Sequence, residues 1–121
     1  MSVKHALGFV GQAIARQRLV DMGYTVVTEN FGVFSGEIDI IAVRKGVLLF
    51  VEVKYRTDLE RGNPAEALTK KKLRSFRSAA AAYLVEHNST PYQEIKFDAI
   101  CILALPGQEM IVDHLEDILG P

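Results

Sequence analysis

The stretch SGEIDIIAVRKGVLLFVEVKYR, Ser35 to Arg56, reads as two apolar β-strands joined by a short basic turn. Four charges, Glu37, Asp39, Glu52 and Lys54, lie inside those strands. An unpartnered charge in a half-buried strand is costly, so these four need partners. Residues two apart in a strand share a face, which groups Glu37 with Asp39 and Glu52 with Lys54. A Lys45-Gly46 turn sets Arg44 opposite Val47 and Ile41 opposite Phe50. Counting outward, Asp39 then faces Glu52 and Glu37 faces Lys54. A three-residue loop with a bulge at Gly46 would separate the pairs. The even-length register is the expected one, because only it brings the charges together.

Around this hairpin the chain reads α-β-β-β-α-β-β. The first helix covers ALGFVGQAIARQRLVDMGY, with Leu7, Val10 and Ile14 at helical spacing and Leu19 and Met22 extending the apolar side, and Gly23 ends it. YTVVTEN is a short strand. After the polar loop TDLERGN, a second helix is expected over NPAEALTKKKLRSFRSAAAAYLVEH, with Asn63 as cap, Pro64 at N1 and Glu66 at N3. Leu73, Phe76, Ala80, Tyr83 and Leu84 form its apolar stripe. IKFDAICILAL is a buried strand and EMIVDHL a last short one. Strands on both sides of a long helix imply α/β architecture, a mixed β-sheet flanked by helices. The 121 residues suit one domain, 1–121, with no repeat or linker.

Nearly half the residues are apolar, enough for a real core, and the net charge of -1 excludes a globally basic binder. The charge is nonetheless polarised. Lys54, Arg56, Arg61, Lys70, Lys71, Lys72, Arg74 and Arg77 stand against Asp58, Glu60 and Glu66, and no Lys or Arg follows Asp98. A local basic face of this kind can bind phosphates. The single cysteine, Cys101, excludes an intrachain disulfide and a cysteine-based zinc site, which fits a reducing cytoplasm. It alternates within an apolar strand and is expected to be buried and inert. No signal peptide is read at the N-terminus, and no apolar stretch approaches the roughly 20 residues of a membrane helix. His5, His87 and His114 show no ligand spacing and read as structural or surface residues.

Two converging carboxylates repel each other unless a proton or cation intervenes. Mg²⁺ or Mn²⁺ is the natural partner, held by one or two carboxylates with water and phosphate oxygens. A neighbouring lysine can hold a water or a phosphate. Asp39, twelve intervening residues, then Glu52-Val53-Lys54 is the spacing of the PD-(D/E)xK nuclease superfamily. Together GFVGQAIARQRLVDMGYTVVTENF, GEIDIIAV, LLFVEVKYR, NPAEALTKKKLRSFRSAAAAYL and IKFDAICI resemble a small bacterial family of uncharacterised endonuclease-like proteins. That family is similar to archaeal Holliday junction resolvases. The resemblance runs from about Leu7 to Ile118 and implies a restriction-endonuclease-like core. It also implies Asp39 and Glu52 as metal ligands and Lys54 as the catalytic lysine. Where that family usually has G-x-x-G-E in its first helix, this chain reads GFVGQ, so Gln12 stands in for a glutamate thought to reach the metal. Gly32 likewise replaces a common arginine.

Glu37 is an auxiliary candidate, pairing either with Lys54 or with the metal group. Arg56 continues the Glu52/Lys54 face toward a substrate phosphate. Lys70, Lys71, Lys72, Arg74 and Arg77 contain no acid within their run, so no helical ion pairs neutralise them. They are expected to grip a nucleic-acid backbone, with Lys72 nearest the site. The expected activity is Mg²⁺-dependent hydrolysis of phosphodiester bonds in nucleic acid, DNA by preference. A double-stranded substrate would suit a homodimer, with the strand after Gly107 as a candidate contact. The rival reading is a binding module without catalysis, which Gln12 favours; a third is a protein-interaction domain using the acidic C-terminal third.

Overall fold

A computed structural model describes residues 3–120, with side chains from residue 8 onward. The side chains of His5 and Leu7 lie outside the described residues. The elements run α1 (Val3–Asp21), β1 (Thr25–Val33), β2 (Gly36–Arg44), β3 (Val47–Arg56), α2 (Lys70–Glu86), β4 (Glu94–Leu103) and β5 (Ile111–Leu115). One mixed sheet holds all five strands in the order β1-β2-β3-β4-β5. Only β3 and β4 are parallel, as a crossover through α2 requires. The other neighbours are antiparallel.

A helix covers each face. Ala15 and Leu19 of α1 pack on Ile40, Ala42, Leu49, Val51, Ile100 and Ile102. Phe76, Ala79, Ala80 and Tyr83 of α2 pack on Ile38, Ile41, Leu48 and Phe50. The expected Ile14, Leu19 and Met22 of α1 face inward, but Val10 is exposed, and the fully buried line runs through Gly11, Ala15 and Leu19. The cause is close approach: a Cβ on Gly11 would lie 2.6 Å from the Cβ of Tyr55. Only glycine lets the helix axis come this near to β3. Gly23 ends α1 at φ +93, with the Tyr24 N–H donating back to the Leu19 carbonyl at 2.9 Å.

The second helix begins later than expected. Asn63 makes no side-chain cap, and Pro64–Ala67 forms only a 3-10 turn. The chain leaves it at Leu68, whose ψ is 66. Thr69 then restarts it, its hydroxyl accepting the Lys72 N–H at 3.2 Å. Two capping signals stand in tandem, and the one at Thr69 opens the long helix.

The β2–β3 hairpin turns on Lys45 (φ 45) and Gly46 (φ 80), the left-handed pair of a type I′ turn. Pairing runs from Arg44↔Val47 through Ile41↔Phe50 to Ile40↔Val51. The expected register therefore holds near the turn. Pairing between described residues of β2 and β3 stops there, so Glu37 does not pair with Lys54. Strict alternation fails at the same level. Ile40 faces α1, yet Ile38 joins Ile41 in the cluster under α2. On β1 the rungs Glu29↔Ile40 and Phe31↔Ile38 flank an unpaired Asn30–Asp39 level, and Asn30 has φ 55. The ribbon turns over there, and the period-two argument that grouped Glu37 with Asp39 breaks at this point.

Candidate functional site

The parting of β2 from β3 creates the site. Asp39 has no backbone partner on β3, and its Oδ2 accepts the Val53 N–H at 2.7 Å. The carboxylate thus takes the place of a ladder carbonyl and is held at a fixed position between the strands. Glu52 projects on the α2 side, the face of Phe50 and Leu48. Lys54 lies two residues further on, its Nζ 3.7 Å from Glu52 Oε1, with both side chains largely buried. Burial first, and Asp39 beside it second, push the Glu52 carboxyl up to about 8, with the charges of Lys54 and Lys72 pulling the other way. Three of the expected residues therefore share one small volume, Asp39, Glu52 and Lys54, while Lys72 is exposed on α2 with its charge in reach of Glu52.

Arg56 extends this row. It donates from one terminal nitrogen to the Tyr55 carbonyl at 3.2 Å, while its buried Nε has no partner among the described residues. Cys101, paired with Lys54 across the parallel ladder, lies among Asp113, Lys54, Glu52 and Arg56. Burial, first, pushes its thiol up to about 11, so it is an inert thiol.

The remaining expected residues sit elsewhere. Gln12 donates its amide to Glu29 Oε1 at 3.1 Å, and Arg16 grips the same carboxylate through Nε and a terminal nitrogen at 2.9–3.1 Å. Arg16 is the main cause that lowers the Glu29 carboxyl below its ordinary range. Glu37 is exposed, its backbone paired with Gly32. Lys70, Lys71, Arg74 and Arg77 are exposed on α2, outside every ion pair among the described residues. No group of three or more metal-ligating side chains converges among the described residues, so a cation here would rest on the Asp39–Glu52 pair. An open depression lined by Met22, Arg44, Lys45 and Val47 lies at the far, turn end of β2 and β3.

Sequence reading missed two side-chain partners. Glu29 carried the same signal as Glu37, a carboxylate inside a strand, but lay in the polar stretch Thr28-Glu29-Asn30. The other is His114, whose Nε2 lies 2.9 Å from Asp98 Oδ2, both side chains buried. That contact depends on how β5 registers against β4, with Ile100 opposite His114.

Comparison with known proteins adds a lineage. Residues 11–102 match the model of a family described as "Uncharacterised protein family UPF0102". A UPF0102 protein of Nocardia farcinica is 39% identical over 115 residues, covering 95% of this chain and 90% of its own. One from Chlorobaculum tepidum is 38% identical over 116 residues, covering 96% and 89%. One from Chlorobium phaeobacteroides is 41% identical over 118 residues, covering 93% and 92%.

Proposed function

The chain belongs to the uncharacterised protein family UPF0102, and on that premise we propose that it is a metal-dependent nuclease hydrolysing phosphodiester bonds, with DNA the preferred substrate. The observation that carries this is the meeting of Asp39, Glu52 and Lys54 where β2 and β3 part. The α1-β1-β2-β3-α2-β4-β5 order around a mixed sheet supports a restriction-endonuclease-like core.

The donor set fits Mg²⁺ or Mn²⁺. Two hard carboxylates meet there, and burial first, with Asp39 beside it, makes Glu52 favour holding a proton near neutral pH. When bound, such a cation supplies a more acidic water and a counter-charge for the phosphoryl group. Asp39 and Glu52 would hold it, with Asp39 kept in place by the Val53 N–H. Lys54, once drawn from Glu52 toward substrate, donates to a phosphate oxygen or orients the attacking water. Lys72 adds positive potential from α2, and Arg56 brings a guanidinium with an unspent N–H to the same row. Lys70, Lys71, Arg74 and Arg77 give the outer phosphate contacts. A homodimer would bring two such sites to one nucleic acid.

A binding module without catalysis is the second reading. It draws on Gln12, whose amide is committed to Glu29. Cleavage of single-stranded, duplex and branched DNA and of RNA, with Mg²⁺, Mn²⁺ or EDTA, separates the two. Metal-dependent cutting by wild type that Lys54→Ala abolishes is the expected result. Salt-sensitive binding without cutting in any metal would leave the binding module.

A further inference from the structure

The β1–β2 hairpin ends in a two-residue turn, Phe34-Ser35, between the paired Val33 and Gly36. Such turns ordinarily take glycine, asparagine or aspartate, which are small and polar. Here the first turn residue is a phenylalanine that is 110% exposed. It belongs to neither hydrophobic cluster, so folding does not require it.

The tip itself is fixed in place. Ser35 Oγ lies 2.6 Å from Ser78 Oγ on α2. At Gly36 the backbone touches α2 so closely that a Cβ would stand 2.1 Å from the Ser75 carbonyl oxygen. Ser75 and Ser78 are the sequence neighbours of Arg74 and Arg77, both exposed and free of ion pairs among the described residues. A solvent-facing phenyl ring therefore sits on a hairpin tip that is anchored to α2 through Ser75 and Ser78, the sequence neighbours of two residues of the basic stripe.

An aromatic ring flanked by phosphate-binding cations is the arrangement that receives an unpaired base, since every base offers a π-face while its backbone follows the positive charge. A continuous duplex hides those faces by stacking. We infer that Phe34 is a stacking platform for an unpaired base, so that the substrate is single-stranded, gapped or forked nucleic acid rather than continuous duplex. This rests on the nuclease reading above and names its substrate class. Asp39 lies three residues beyond Gly36 on β2, about 10 Å along the strand at roughly 3.3 Å per residue, so the tip and the site are within reach of one strand of nucleic acid.

The chain contains no tryptophan, so Phe34→Trp places a single indole reporter at the tip. Binding of a labelled single-stranded 20-mer and of its duplex is measured by anisotropy in EDTA at low salt. The variants are wild type, Phe34→Ala, Phe34→Trp and Arg74→Ala/Arg77→Ala. The expected result is a loss of about ten-fold or more in single-strand affinity for Phe34→Ala, the scale of one base–aromatic stack. Duplex affinity changes less than about two-fold by the same reasoning, and Phe34→Trp keeps wild-type affinity with its fluorescence quenched by the single strand. If Phe34→Ala binds both like wild type, or the indole is unquenched while the double arginine variant loses binding, the platform is refuted and the nucleic-acid reading stands. If wild type binds no nucleic acid, both fall. A Phe34→Ala effect on self-association in sedimentation, with binding unchanged, would assign the ring to a contact between copies instead.

Discussion

Asp98 and Glu52 are carboxylates in neighbouring strands of one sheet, and their surroundings are opposite. Asp98 is 1% exposed and fully engaged: His114 Nε2 meets one oxygen at 2.9 Å and the Asp117 N–H meets the other at 3.1 Å. Those two bonds tie β5 and the C-terminal turn to β4. Glu52 is nearly as enclosed, yet its neighbour is another carboxylate, and its lysine stands off at 3.7 Å. A buried charge satisfied from all sides serves the fold, whereas one left in conflict is retained at a cost that binding can offset. Placed two residues apart, Glu52 and Lys54 make the first kind of contact with each other only weakly, which leaves both available to a ligand.

The contrast can be broken from either side. The largest effect is expected at Lys54. Lys54→Ala should reduce cleavage by about 10²–10³-fold, the cost of removing one transition-state donor, with circular dichroism and unfolding midpoint little changed. Next is Asp98→Ala, which strips His114 and the Asp117 N–H of their partner. It should destabilise by about 3 kcal/mol in urea unfolding, as loss of one member of a buried pair does, because the tie is structural. Equal loss of stability in Lys54→Ala and Asp98→Ala would erase the distinction.

Glu52 sharpens the comparison through pH. Its ordinary value is 4.5 and its folded value about 8, raised first by burial and then by Asp39. Between these values the folded protein holds a proton that the unfolded chain has lost. Stability of the metal-free protein therefore falls as pH rises from about 4.5 to 8 and levels off above. Glu52→Gln should remove that slope and stabilise the protein at pH 8.5 by about 1–3 kcal/mol. Urea unfolding in EDTA at pH 5.5 and 8.5 measures it. A smaller effect is expected at Gln12→Glu, which sets a second carboxylate against Glu29 at a site Arg16 already neutralises. It should cost no more than about 1 kcal/mol, as for a partly exposed charge contact.

Parts of this arrangement were readable because the rules behind them are local. Lys45-Gly46 dictates a two-residue turn, and the turn dictates that Ile41 meets Phe50. Asp39, Glu52 and Lys54 stood out for the same reason: each is a charge set between apolar strand residues. The rest depends on contacts that local pattern does not encode. The ribbon turns over at Asn30 and Asp39, so counting by twos carried Glu37 to the wrong place. Thr69 caps the helix in place of Asn63 because Leu68 leaves the helical region, a tertiary outcome. The Gln12–Glu29–Arg16 cluster joins α1 to β1 across the sheet face, and Asp98 finds His114 only through the register of β5.

The central claim is that the conflict between Asp39 and Glu52 is resolved by a divalent cation. Thermal unfolding at pH 8 across a Mn²⁺ titration, for wild type and Glu52→Gln, addresses it directly. The account predicts a concentration-dependent rise in Tm for wild type that Glu52→Gln lacks. An equal rise in both proteins, or none in wild type, would contradict it.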